Sequence, residues 1–177
     1  NFNLRDICQP SLVRLAEKTG DTVFLTIRSG YDTVCIDRRE GSFPIRTLTL
    51  DVGTRRPLGV GAGGLALLMS LPDQTAEEVI SANALRLVTY NKLTVRSLMQ
   101  MVKRCKELGY ALNDAHITPG ATSVGLPIRS RFDQPILAIS IGAISSRMSE
   151  KRQEELVSLI REEVAHLEAT LESTAHP

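Results

Sequence analysis

Two stretches near the C-terminal end decide the fold. The first is Ala121-Thr122-Ser123-Val124-Gly125-Leu126-Pro127-Ile128-Arg129-Ser130 and the second is Gln134-Pro135-Ile136-Leu137-Ala138-Ile139-Ser140-Ile141-Gly142-Ala143-Ile144. Successive side chains of an extended strand point to opposite sides. In the first stretch Val124, Leu126 and Ile128 therefore share one side, and Ala121, Ser123, Gly125 and Pro127 the other. In the second, Leu137, Ile139 and Ile141 oppose Ala138, Ser140 and Gly142. Both read as strands, joined around Arg131-Phe132-Asp133, each with a bulky face and a small face. The bulky faces call for helices to cover them. The small faces, if aligned, make a shallow floor whose Ser123 and Ser140 hydroxyls both donate and accept hydrogen bonds. A hollow lined by small side chains with a few polar anchors is the usual form of a small-molecule site. Small side chains also let a helix or a partner subunit approach closely, and the pattern allows either.

Upstream, Pro57-Leu58-Gly59-Val60-Gly61-Ala62-Gly63-Gly64 is a glycine-rich loop that runs into an apolar helix, Leu65–Leu71. Gly59, Gly61 and Gly64 match G-x-G-x-x-G, but a dinucleotide site also needs a buried strand before the motif and an acidic residue about 20 positions beyond it. Arg55-Arg56-Pro57 precedes the loop and no strand ending in an acid follows at that distance. No Gly-Lys-Ser/Thr makes it a P-loop. What remains is physical: backbone N–H groups at a helix start point outward and hold a carboxylate well. The same glycines also permit a sharp turn or tight helix packing.

The rest of the chain arranges itself around these parts. Gln9–Thr19 reads as a helix, with Pro10 at its first position and Gly20 as its stop. Thr22–Arg28 alternates, with Val23, Leu25 and Ile27 against Thr22, Phe24 and Thr26. Thr33–Arg39 and Pro44–Val52 complete a three-strand antiparallel meander. Thr75-Ala76-Glu77-Glu78 has capping-box spacing and opens a short helix. Thr94–Leu108 carries an apolar stripe of Leu98, Met101, Val102, Cys105 and Leu108, and ends at Gly109. Tyr110–Asp114 is a short strand, and Ser149 caps a last helix through Leu171, after which Glu172–Pro177 frays. Helix, three strands, helices, three strands, helix is an α+β domain, a mainly antiparallel sheet with helices packed on it.

Composition excludes several function classes. With 177 residues and 42% apolar content, the chain builds one domain around a Leu, Ile, Val and Ala core, since it has no Trp. A net charge of +1 draws in neither nucleic acid nor membrane. Cys8, Cys35 and Cys105 are scattered and odd in number, as in a reduced, cytoplasmic protein. His116, His166 and His176 form no metal-ligand spacing with them, so neither metal nor cofactor is expected. No apolar run approaches the ~20 residues of a membrane span. The chain begins at Asn1 without a methionine, which points to a piece of a longer protein. Asn113, between helix and small-faced strands, is placed to bond a ligand or to make an Asx-turn. Arg38-Arg39 and Arg55-Arg56 are basic pairs that either neutralise an anion or are solvated. His116 beside Asp114 invites a hydrolase or transferase reading with Ser123 or Ser140, but no G-x-S-x-G elbow presents a nucleophile. A purely structural oligomerisation module, with the small faces against a partner, is the other alternative.

Gly61-Ala62-Gly63-Gly64-Leu65-Ala66-Leu67-Leu68, Gly109-Tyr110-Ala111-Leu112-Asn113-Asp114, Thr118-Pro119-Gly120 and Pro135 to Ile141, in that order, resemble the C-terminal domain of the IclR family of bacterial transcription regulators. The resemblance runs from Leu12 to Leu167 and rests on order and spacing rather than on any one motif. It implies a GAF-like effector-binding domain over residues 1–177, with the family's N-terminal winged helix-turn-helix absent from this chain. It implies homodimers or homotetramers that repress or activate transcription, bind DNA only through that other domain, and perform no catalysis. The effector it implies is a small molecule, a carboxylate or aromatic acid. By motif, the ligand-binding positions are Gly61 and Ala62 as backbone donors, Asn113 and Ser123 as polar side chains, Ala121 as wall, and Ser140 and Gly142 as floor. Members of that family often carry an acid where Asn113 stands and a cysteine or another residue where Ser123 stands, and some offer a hydroxyl where Gly142 stands. The amide at Asn113 removes a negative charge and favours an anionic effector.

Overall fold

The computed structural model describes residues 3–45, 50–114, 117–130 and 137–174. Helix α1 (Leu4–Thr19) leads into strands β1 (Thr22–Ser29), β2 (Asp32–Arg39) and β3 (Arg55–Pro57). Four helices follow: α2 (Gly61–Met69), α3 (Asp73–Ala82), α4 (Ala84–Leu87) and α5 (Val95–Leu108). Then come β4 (Ala111–Asp114), β5 (Ala121–Ile128), β6 (Leu137–Ile144), a 3₁₀ turn (Ser145–Arg147) and α6 (Glu150–Thr174). The strands form one sheet in the order β3-β2-β1-β6-β5-β4, and every neighbouring pair is antiparallel. The α+β class and the mainly antiparallel sheet of six strands therefore stand.

The two sheet halves meet at β1 and β6, where Leu25 lies opposite Ile139 and Phe24 opposite Ser140. On one face α1 and α6 cover Val23, Leu25, Val124, Leu126, Ile128, Leu137, Ile139 and Ile141. The other face is covered first by α2, with α3 and α5 behind it, around Leu58, Leu65, Leu67, Leu68 and Leu98. Among the described residues, the sheet is represented in that second core by the small Ala111 and Ala138 alone. The bulky and small faces read from the alternation are thus the two faces of the sheet. The small one is covered by a helix of the same chain.

Several boundaries differ from expectation. Helix α1 starts at Leu4, where Asn3 caps Asp6 N–H, and Pro10 lies inside it. Pro10 is exposed, so the carbonyl that loses its bond can turn to water. The expected third strand, Pro44–Val52, is misplaced. Residues 46–49 lie outside the described set, the described flanks are not strand, and the short edge strand is Arg55–Pro57. Helix α3 begins at Asp73 after Pro72, and no side chain caps it, so Thr75 lies within the helix rather than before it. Leu108 is 41% exposed and off the buried stripe of α5. The tail fraying expected from Glu172 does not hold through Thr174, which ends α6. The turn expected at Arg131-Phe132-Asp133 lies outside the described residues, as do His116 and His176.

The helix signals at Gly20, Gly109 and Ser149 translate directly, and the structure adds a cap at Thr94. Thr94 and Ser97 form a reciprocal capping box, and Gly109 at φ 82° closes α5 with a bond to the Cys105 carbonyl. Ser149 accepts from Arg152 N–H at the start of α6. Gly20 at φ 75° donates to the Ala16 carbonyl. At this junction buried Asp21 takes Arg147 Nε at 3.0 Å and Arg152 Nη2 at 2.8 Å, which ties the end of α1 to the start of α6.

Candidate functional site

Helix α2 begins four residues earlier than the apolar run suggested, so its glycines make its first turn. Gly59 (φ 105°) and Gly61 (φ 87°) both occupy the left-handed region that glycine adopts without strain. Gly64 lets the turn fold on itself: a Cβ there would lie 2.7 Å from Gly59 N. Gly63 lets α2 sit on the sheet, since its Cβ would lie 2.6 Å from Thr26 Oγ1. Gly125 does the same from below, with 3.3 Å between its would-be Cβ and the Ala62 carbonyl oxygen. The N-terminus of α2 is thus pressed against the small face of the sheet.

This helix start is uncapped. The N-cap residue is Val60, no side chain bonds to the first turn, and no acid lies in it. The first N–H groups of any α-helix lack intrahelical partners, and here they carry the positive end of the helix dipole.

Beneath and beside them is a cavity of about 40 Å³. Its floor follows the strand register. Asn113 pairs with Ser123, and Ser123 with Gly142, across β4, β5 and β6. One row along, Gly125 pairs with Ser140, and Ser140 with Phe24 of β1. All seven positions expected at the site, Gly61, Ala62, Asn113, Ala121, Ser123, Ser140 and Gly142, border this one cavity. Asn113 is 7% exposed and Ser140 3%, so this floor is shielded from bulk water.

Among the further lining residues that the sequence reading did not place at the site are Phe24, Thr26 and Thr33, from β1 and β2, and Arg56 of β3. Phe24 and Thr26 had been put on the correct side of their strand, but nothing local says that β1 lies next to β6. Arg56 was noted only as half of a basic pair. The structure separates the two arginines. Arg55 is half exposed and pairs with Asp32 at 3.3 Å. Arg56 turns into the cavity wall, its guanidinium carbon 6.0 Å from the Tyr90 ring centre. Burial pushes its pKa below the usual arginine range; an arginine nonetheless stays protonated. The other pair is also divided, for Arg38 is spent on the Leu50 carbonyl and Asp51, both at 2.8 Å.

Among the described residues, the buried oxygens Thr26 Oγ1 and Asn113 Oδ1 have no hydrogen-bond partner, and both residues border the cavity. An unpaired buried polar atom costs about 1–3 kcal/mol, so two beside one cavity are a local cost that the described residues do not offset. No described lining residue is acidic. Basic, amide, hydroxyl and backbone N–H groups border one small space, an arrangement that can hold an anion.

The thiols do no such work. Cys8, Cys35 and Cys105 are buried and free, and burial pushes the Cys8 and Cys35 thiols up to about 11. Among the described residues no three His, Cys, Asp or Glu side chains cluster as metal ligands, and no helix is long and apolar enough to cross a membrane.

Comparison with known proteins follows this geometry. The chain is 28% identical to the HTH-type transcriptional repressor AllR of Escherichia coli K12, over 100% of this chain and 65% of that protein. It is 25% identical to the HTH-type transcriptional regulator KipR of Bacillus subtilis, over 91% of this chain and 64% of that one. It thus spans just under two thirds of the length of these curated relatives. Among solved structures, the Thermotoga maritima IclR matches with a TM-score of 0.85 at 28% identity, over 97% of this chain and 69% of that one. The C-terminal domain of E. coli KdgR has the same fold, with a TM-score of 0.81 at 20% identity over 96% of this chain and 99% of that one. The family model described as the bacterial transcriptional regulator IclR C-terminal domain matches residues 1–169, and the chain belongs to that family.

Proposed function

We propose that residues 1–177 are a single effector-sensing domain, GAF-like in arrangement, of a cytoplasmic transcription regulator. It binds a small organic acid in the cavity between α2 and the small face of the sheet. One observation carries this: an uncapped helix N-terminus and two residues with orphaned buried oxygens border one small cavity with no acid among its described lining. The acid's carboxylate meets the N–H groups of Gly61 and Ala62. Asn113, Ser123 and Ser140 bind its remaining polar atoms, while Ala121 and Gly142 leave it room. One water needs ~10–15 Å³, so 40 Å³ fits a short-chain carboxylate better than an aromatic acid. The domain does no chemistry.

Regulation is by population shift. A ligand that prefers one arrangement of subunits in a homodimer or homotetramer changes how the DNA-binding domains are spaced. Those domains belong to the longer protein, as in relatives named HTH-type. Helix α1 is the mechanical link.

A thermal-shift screen of short organic acids tests the reading, since a ligand selective for the folded state raises Tm. Ser140→Leu, which puts bulk on the floor, is expected to remove the shift. Ser140 is tightly packed, so Ser123→Leu, at a less buried position, serves as a second variant. Binding that survives both substitutions unchanged would falsify the assignment of the cavity.

A further inference from the structure

Among the described side chains that line the cavity, one atom differs from the rest in what it can bond. The serine and threonine hydroxyls either donate or accept, Arg56 only donates, and the first N–H groups of α2 only donate. Asn113 Oδ1 accepts and cannot donate. Asn113 is 7% exposed, and this oxygen takes no hydrogen bond from the described residues. Ser123, its partner across the β4–β5 ladder, does not supply one. We infer that the effector is a hydroxy acid rather than a plain carboxylate, with its carboxylate at the start of α2 and its hydroxyl donating to Asn113 Oδ1.

This ligand class rests on the effector reading above and narrows it. An ionised carboxylate offers acceptors only. It suits the N–H groups of Gly61 and Ala62, yet beside Asn113 Oδ1 it sets oxygen against oxygen and leaves that atom unpaired. A hydroxyl next to the carboxylate supplies the missing donor. The other end of the amide, Nδ2, only donates, so a guest that satisfies the whole side chain carries a donor and an acceptor together. Both ends of such a guest are within reach of a short molecule. Ala62 rests on Gly125, whose would-be Cβ lies 3.3 Å from the Ala62 carbonyl oxygen. Gly125 is two residues along β5 from Ser123, the partner of Asn113, a step of about 7 Å. The other orphaned oxygen, Thr26 Oγ1, does not decide the class. A hydroxyl bonds a donor or an acceptor equally well, and β6 and β5 separate its strand from β4. An ammonium group also donates, but it brings a positive charge to a lining with no described acid to balance it.

Thermal shift and calorimetry on the wild-type chain compare ligands of matched size in two sets: acetate, glycolate and glycine, then propionate, lactate and alanine. At least one hydroxy acid is expected to bind at least tenfold more tightly than its parent carboxylate, the scale of one buried acceptor gaining a donor. The matching amino acid is expected to bind more weakly than that hydroxy acid. Asn113→Leu, which keeps the bulk and removes the acceptor, should shrink the advantage of the hydroxy acid to less than twofold. Should that variant not fold, Asn113→Ala makes the same comparison. Plain carboxylates that bind as well as their hydroxy acids overturn the ligand class and leave the effector site standing. An amino acid that binds as tightly as its hydroxy acid overturns the choice of a hydroxyl. An advantage that survives unchanged in the Asn113 variants overturns the role of that residue. If no member of either set binds, the hydroxy-acid class falls, and the wider screen of organic acids decides the effector reading by itself.

Discussion

The two faces of β5 and β6 are made by the same sixteen residues, yet one is solid and the other hollow. On the solid face Val124, Ile139 and Ile141 are completely buried against α1 and α6. On the hollow face Gly125 lies against Ala62 of α2, and Ser123, Ser140 and Gly142 border a cavity. Strand geometry is shared, so only side-chain size and polarity on alternate residues differ. Bulk on odd or even positions decides which face supplies stability and which keeps space for a guest.

The largest way to break this contrast is to exchange the losses. Ile141→Ala on the solid face removes three carbons from a site that cannot collapse, and should cost about 2–5 kcal/mol. Ser123→Ala on the hollow face should cost less than ~1 kcal/mol, because its hydroxyl borders open space. Urea denaturation of both variants measures the difference. Equal costs would mean that the two faces are packed alike.

A second test concerns how α2 is held over the hollow. Alanine is the better helix former by about 1 kcal/mol, so Gly64→Ala would stabilise a free helix. Here its Cβ meets the Gly59 backbone at 2.7 Å, and backbone cannot step aside as a flexible side chain does. Gly64→Ala should therefore destabilise by about 1–3 kcal/mol. Gly63→Ala meets Thr26 Oγ1 instead, so Thr26→Ala should rescue it in a double-mutant cycle. A cycle with no coupling would show that α2 does not rest on Thr26.

On the binding side, Asn113→Asp adds a negative charge to a buried floor position. An anion bound there should lose roughly tenfold or more in affinity, on the scale of 1.4 kcal/mol per factor of ten. Calorimetry with whichever carboxylate shifts the wild-type Tm gives the number. Unchanged affinity would remove Asn113 from the site.

How much of this was legible beforehand follows the range of the interactions. Alternation along β5 and β6 is local, and it correctly separated Ser140 and Gly142 from Ile139 and Ile141. The Gly109 stop is local too. The glycine turn was misjudged because glycine is a poor helix former. Its place in α2 is imposed by contact with Thr26 and Gly125, which lie far off in sequence. Arg56 was unreadable for a related reason. Which of two neighbouring arginines faces inward depends on β3 pairing with β2 at the sheet edge, and the expected strand lay elsewhere. Thr26 and Phe24 joined the site only through the β1–β6 pairing, which no local pattern encodes.

The smallest expected effect lies in a polar inclusion within the solid face. Glu163 on α6 is buried and holds Arg14 Nη2 at 2.7 Å and the Ser11 hydroxyl at 2.8 Å on α1. The hydrogen bond from Arg14 holds its carboxyl below the usual carboxylate range, against the opposing effect of burial. A carboxylate whose folded pKa is depressed adds stability above its unfolded pKa, near 4.3. That stability fades as pH falls through the folded value. Arg14 is 43% exposed, and water screens the pair accordingly, so the contribution is modest. Glu163→Gln should flatten the acid limb of the urea midpoint below about pH 4.3 and leave its shape above pH 6 unchanged. If the limb keeps its slope, the Glu163 ion pair does not couple α1 to α6, and the helices are held together by apolar packing and by the Asp21 junction at their other end.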